Sequence, residues 1–216
     1  MTPRHHVVIT GTGRAGTTFL VELLTHLGLE TGFNAGDIVH RIHKDARAGL
    51  EHDIRQNNCP FVVKSPWFCD YAGEVICRDD IFIEHILIPF RDLDAAAESR
   101  RHVSKTSVSS KLPLAERLSH IINPKAIPGG LVHTQSDKPG EQEEILLRQI
   151  YKLMLAISGT TIPVTLMRYP RITKDCPYLY GKLKPILQNI EFESFRGTFN
   201  ALVRPELVHS FNKYDC

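Results

Sequence analysis

The sequence predicts a three-layer α/β/α domain with a mainly parallel central sheet, and three observations carry that prediction. Short apolar, β-branched runs alternate along the chain with stretches of helical period, the order that builds a parallel sheet covered on both faces. The runs are mostly continuous in their apolar character, as strands buried on two sides must be. The first of them passes through a glycine-rich turn straight into a helix.

The elements follow in order. Val7, Val8 and Ile9 centre a first strand over 6–11. A helix over 16–27 comes next, with Phe19, Leu20, Leu23, Leu24 and Leu27 as its apolar face and Gly28 as its stop. Helical residues over 45–57 lead to a short strand at 61–64. The longest apolar run gives a strand at 81–89, followed by a helix over 92–103. The helix at 141–158 gathers Ile145, Leu146, Ile150, Leu153, Met154 and Ile157 on one side and ends at Gly159. A fourth strand over 162–168 precedes helical segments at 177–188 and 192–202, the first of which Pro185 must kink or divide. Residues 104–140 interrupt the alternation with serines, prolines and Gly129-Gly130; the expectation is a lid or substrate-side insertion within one domain spanning 1–216.

Bulk properties narrow the function. At 216 residues, one domain can bury a sizeable core. A content of 42% hydrophobic and 23% charged residues excludes a disordered or fibrous chain. A net charge of +2 implies no strong field for nucleic acid or membrane, so neither is an expected partner. Cys59, Cys69, Cys77, Cys176 and Cys216 are dispersed without metal spacing, which suggests free thiols in a reducing compartment. The 11 histidines lack ligand spacing, and no metal is expected. No apolar leader precedes the first strand and no run approaches ~18 apolar residues, so the expected location is cytoplasmic.

The turn after the first strand carries the chemistry. In Gly11-Thr12-Gly13-Arg14-Ala15-Gly16-Thr17-Thr18 the glycines bare the backbone N–H groups at a helix N-terminus, which makes an anion cradle. Gly11 and Gly16 keep the spacing of an NTP-binding P-loop, but Thr17 stands where its lysine would be and Arg14 is the nearby cation. An anion with one phosphate and one further charged group fits this better than a Mg²⁺-chelated triphosphate. An ordinary Gly-rich strand-to-helix turn is the plainer alternative.

This loop resembles the 5′-phosphosulfate-binding loop of sulfotransferases, which use 3′-phosphoadenosine-5′-phosphosulfate (PAPS). Their pattern (R/K)-S-G-(T/S)-(T/S) is matched by Arg14 to Thr18 except for Ala15. A second match follows the strand at 81–89. The family's 3′-phosphate site is an arginine at a strand end with a serine eight positions on, and Arg91 and Ser99 are similar. Eight residues are just over two helical turns, which returns Ser99 to roughly the face of Arg91. A guanidinium fork with a hydroxyl suits a phosphate monoester. Lys64-Ser65-Pro66 resembles the family's K-(T/D/S)-P turn and makes Lys64 an acceptor-side candidate. Pro163 to Tyr169 resembles its late R-Y strand, but Pro170-Arg171-Ile172 replaces the usual acidic continuation, so no role is carried over. Phe195-Arg196-Gly197 echoes a C-terminal phosphate clamp, with a surface arginine the simpler reading. Arg100-Arg101 likewise reads more simply as a solvated helix end.

The resemblance implies sulfuryl transfer from PAPS to a hydroxyl or amine of a small-molecule or carbohydrate acceptor, releasing adenosine 3′,5′-bisphosphate without a metal. Gly11 to Thr18, with Arg14 also stabilising the transferring group, would serve the 5′ side, and Arg91 with Ser99 the 3′-phosphate. A general base is needed as well. Asp37 is the first candidate, and the same position makes it an acceptor-binding candidate; His40, Glu30 and His43 follow. The competing readings are a nucleotide or small-molecule kinase with a degenerate P-loop and a non-catalytic nucleotide-binding protein on the same fold.

Overall fold

The structure, a computed structural model, describes residues 2–43, 48–103 and 140–205. It is an α/β fold. Four strands, β1 (Arg4–Ile9), β2 (Val62–Lys64), β3 (Ile81–Phe90) and β4 (Val164–Arg168), form one sheet in the order β2-β1-β3-β4. Every pairing is parallel: Val8 lies beside Val63 on one side and Ile86 on the other, and Ile88 lies beside Leu166. The helices are α1 (Thr17–His26), α2 (Phe68–Ile76), α3 (Leu93–Val103), α4 (Glu141–Ser158), α5 (Cys176–Leu183) and α6 (Phe192–Leu202).

Consecutive residues of β1 face opposite ways, as a strand's period of two requires, and each face finds its own core. Val7 and Ile9 pack with Leu20, Leu23 and Leu24 of α1, Leu179 and Leu183 of α5, and Phe195 and Phe199 of α6. Val8 packs with Phe68, Ala72 and Val75 of α2 and with Leu153 and Ile157 of α4. The continuous apolar runs in the sequence are therefore the mark of a sheet with helices on both sides.

One expected helix is absent from the described residues and one helix was not expected. Residues 48–57 are irregular rather than helical, and His43 pairs with Ala48 as an isolated antiparallel bridge. Gly49 and Leu50 hold φ of 123° and 68°, which no α-helix accommodates, and the Asp53 carboxylate accepts from the Arg55 N–H two residues on. Between β2 and β3 lies α2, a helix the sequence reading did not include, whose buried residues Phe68, Ala72 and Val75 fall at helical spacing. Smaller shifts leave β1 ending at Ile9 rather than at residue 11 and β4 starting at Val164. Pro185 divides the C-terminal segment as expected: α5 stops at Leu183 and a 3₁₀ turn runs Lys184–Ile186. The insertion read over 104–140 lies outside the described residues apart from Gly140. No described helix is long and apolar enough to cross a membrane. Cys59, Cys69, Cys77 and Cys176 are free thiols.

The β1–β3 register slips between His6 and Val7, and the buried His6 ring donates from Nδ1 to the Pro60 carbonyl at 2.7 Å. Burial lowers the pKa of His6, and burial does the same for His52 and His85, from an ordinary 6.5. Each therefore takes up its proton at a lower pH than in the unfolded chain, so around that value the unfolded chain binds more protons and stability falls as pH falls. Thermal melts should show Tm decreasing from about pH 7.5 to about pH 5.5. A flat or rising Tm over that range would contradict the burial of these rings.

Candidate functional site

The strand order reverses at β1: β2 lies to one side of it, and β3 and then β4 lie to the other. In an open α/β sheet such a reversal opens a crevice beyond the carboxyl ends of the two central strands. A cavity of about 180 Å³ lies there, and each of the four strand ends contributes to its wall. Gly13, Arg14 and Gly16 come from the turn after β1, Thr17 and Thr18 from the start of α1, Lys64 from the end of β2, Arg91 from just past β3 and Tyr169 from just past β4. Gly11, Thr12 and the buried Ala15 are not part of the wall. Backbone bonds tie these exits together: Ser65 N–H donates to Ile9 O at 2.9 Å, Thr10 N–H to Leu87 O at 3.0 Å, and Tyr169 N–H to Phe90 O at 2.6 Å.

The turn is built from left-handed backbone. Gly11, Gly13, Arg14 and Gly16 have φ of 130°, 70°, 58° and 86°. Gly16 is the N-cap of α1 and brings no side-chain cap, so the first in-helix bond is Leu20 N–H to Gly16 O at 3.1 Å. The N–H groups of Thr17, Thr18 and Phe19 precede that bond and stand at the positive end of the helix dipole, at the cavity wall. A side chain at 16 is excluded twice over: by φ, and by the Ile172 and Tyr169 side chains, 2.9 Å and 3.1 Å from where a Cβ would sit.

The two constellations read from the sequence meet here. Arg14 Nε donates to Ser99 Oγ at 3.1 Å, and Arg91 Nη1 donates to the Arg14 carbonyl at 3.2 Å. The Arg91 guanidinium lies over the Tyr169 ring, 5.0 Å from its centroid. Burial, and then the charge on Arg91, push the Arg14 pKa down to about 10; burial also lowers that of Arg91. Two partly buried guanidiniums on one wall favour an anion that comes between them.

Lys64 is only 2% exposed. Its Nζ donates to Thr18 Oγ1 at 2.9 Å, to Glu51 Oε1 at 3.0 Å and to the Gly49 carbonyl. Burial lowers its pKa and the Glu51 carboxylate opposes that shift. The lysine thus stands between the start of α1 and residues 49–51, with Thr18 and Glu51 both at the wall.

The remaining candidates part from the cavity. Asp37 is exposed, just before a 3₁₀ turn over Ile38–Arg41, and neither it nor the exposed His40 is part of the wall. The Glu30 carboxylate accepts from the Phe61 N–H at 3.0 Å, beside β2. His43 is exposed and its backbone joins the bridge to Ala48. Arg196 is exposed and pairs with Glu193. The solvated reading of Arg100-Arg101 is overturned: Arg100 is 4% exposed, and Arg101 is largely covered and makes a bidentate pair with Glu143 at 3.0 Å and 2.8 Å. Glu22 is a wall residue that sequence reasoning passed over. It follows Thr18 by four residues and so shares its helix face, a spacing the sequence displays. Among the described residues, no group of three or more His, Cys, Asp or Glu side chains could hold a metal ion. No family model matches the chain, and no curated protein matches it.

Two glycine variants separate the backbone and contact requirements of the turn. Gly28 has φ of 84° with nothing within 4 Å of a built Cβ, so Gly28→Ala carries the conformational cost alone, about 1 kcal/mol. Gly16→Ala adds the contact with Ile172 and Tyr169 and should lose about 1–3 kcal/mol more in urea unfolding. Equal losses in the two variants would mean that Tyr169 and Ile172 do not press on the turn.

Proposed function

We propose that this protein is a sulfotransferase that moves a sulfuryl group from PAPS to a hydroxyl or amine of a small-molecule or carbohydrate acceptor. The observation that carries the reading is the Arg14 Nε to Ser99 Oγ contact at 3.1 Å. It joins the glycine turn to the Arg91–Ser99 pair at one cavity wall, where a ligand with an anionic group at each end would need them. The donor set fits such a ligand: arginines, a lysine, hydroxyls and helix N-terminal amides. Thr17 in place of a P-loop lysine weighs against a nucleoside triphosphate and hence against the kinase reading.

When bound, PAPS supplies an activated sulfuryl group whose departure leaves adenosine 3′,5′-bisphosphate. The chain's part is to position and to stabilise charge. The α1 amides, Arg14, Thr17 and Thr18 hold the oxygens of the phosphosulfate end. Arg91 forks onto the 3′-phosphate, with Ser99 as the neighbouring donor. Lys64 stays fixed by Thr18 and Glu51 and sets positive potential at the acceptor side.

The acceptor's proton goes to a carboxylate at the wall. Glu51 is engaged by Lys64 and by the Gly49 N–H. Glu22 is 8% exposed and its carboxylate makes no hydrogen bond or ion pair with a described residue. It takes the role of general base that the sequence reading gave first to Asp37.

Calorimetry with adenosine 3′,5′-bisphosphate against ATP–Mg²⁺ separates transferase from kinase, and the bisphosphate should bind more tightly. Arg14→Ala and Arg91→Ala should each weaken bisphosphate binding at least about tenfold while leaving Tm nearly unchanged. Normal affinity in both variants would remove the cofactor reading. With labelled PAPS and a panel of phenols, amines and sugars, Glu22→Gln should slow product formation about 100-fold at unchanged bisphosphate affinity. Sulfated product formed by Glu22→Gln at the wild-type rate, but lost in Asp37→Asn, would return the base to Asp37. No product with any acceptor would favour a non-catalytic nucleotide-binding protein.

A further inference from the structure

The two consecutive arginines of α3 do different things. Arg101 faces outward and clamps Glu143 at the start of α4. Arg100 turns inward, beneath the glycine turn. Its Nη2 donates to the Thr12 carbonyl and to Gln149 Oε1 of α4, the latter at 3.0 Å, and its buried Nε has no partner. Both acceptors are neutral, and no carboxylate among the described residues pairs with it. Burial, and then the charge of Arg14, push its pKa down to about 10.

Nothing in folding alone calls for this arrangement. A buried guanidinium held by neutral oxygens with one N–H unmet is costly, and an apolar side chain of similar length would fill the same space. The contact with Thr12 gives the charge a use. The C=O and N–H of one trans peptide point in opposite directions. Holding the Thr12 carbonyl toward Arg100 therefore turns the Gly13 N–H away from it, and Gly13 belongs to the cavity wall. The same contact keeps a carbonyl oxygen, which would repel an anion, out of the cradle.

We infer that Arg100 is a positioning residue of the anion site: from beneath the turn it orients the peptide between Thr12 and Gly13 and adds buried positive charge to the cradle. Gln149 of α4 holds the guanidinium in place for that role. The inference rests on the anion-binding reading above but not on which nucleotide carries the anion.

The test uses the full chain as wild type, Arg100→Met, Arg100→Lys and the double variant Arg100→Met/Gln149→Leu. Unliganded Tm is measured, together with calorimetric Kd for two probes, inorganic pyrophosphate and adenosine 3′,5′-bisphosphate. Arg100→Met should raise both Kd values about tenfold or more at a Tm equal to or above that of wild type. Arg100→Lys, which restores a buried cation, should bring them back to within about threefold. A purely structural arginine would show the reverse, a lowered Tm with Kd within about twofold of wild type, and that result overturns the inference. If Arg100→Met is too unstable to assay, the double variant, which also removes the orphaned amide oxygen, supplies the reading; its failure to fold would make Arg100 a folding residue and overturn the inference too. Wild-type protein that binds pyrophosphate but not the bisphosphate refutes the PAPS reading and leaves Arg100 to be judged on pyrophosphate. Binding of neither probe sinks both.

Discussion

The reversal of strand order at β1 is the constraint on which the rest of the structure depends. It separates the helices that follow β1 and β3 and leaves the carboxyl ends of those strands open between them. Positive groups gather in that opening beside apolar wall residues such as Ile42, Val103 and Leu202. Arg14 leaves from β1, Lys64 from β2 and Arg91 from β3, while α1 aims its N-terminal dipole at the same space. Burial opposes these charges and lowers the pKa of Arg14, Lys64, Arg91 and Arg100; repulsion from a neighbouring cation adds to it for Arg14, Arg100 and, least, Lys64.

What makes the cluster tolerable is the way its members are tethered. Arg14 donates to the Ser99 hydroxyl, Arg91 to the Arg14 carbonyl and Arg100 to the Thr12 carbonyl, while Lys64 pairs with Glu51. The arginine tethers named here end on uncharged oxygens, so they fix direction while neutralising little. On the proposed reading the site is preorganised: the cost of gathering the charges is met during folding and not when a ligand arrives. Ser99, Arg100 and Arg101 are successive residues of α3, and they bind the turn's arginine, the turn's backbone and the start of α4 in turn. One helical turn of α3 thereby sets the geometry of the whole cradle.

Much of this was legible in the sequence where the signal is local. β3, α3 and α4 stand close to where their periodicity puts them, and the Gly11 to Thr18 turn and the Arg91–Ser99 spacing are read from short stretches whose partners lie within a few residues. What was not legible depends on distant neighbours. Residues 48–57 carry helix-compatible composition, but Lys64 draws in the Gly49 carbonyl and Glu51, and Gly49 and Leu50 adopt left-handed φ. Arg100 and Arg101 are indistinguishable as letters; only Thr12 and Gln149 turn one of them inward. Asp37 sits in the right stretch of chain for a base yet faces solvent, whereas Glu22 reaches the wall because α1 repeats the Thr18 face one turn on.

The most direct test of the account is a crystal structure of the protein with adenosine 3′,5′-bisphosphate. The account predicts the 5′-phosphate on the N–H groups that begin α1, beside Arg14, and the 3′-phosphate on Arg91 and Ser99, with the adenosine bridging them inside the one cavity. A nucleotide bound elsewhere, or bound with Arg91 turned away from either phosphate, would contradict it.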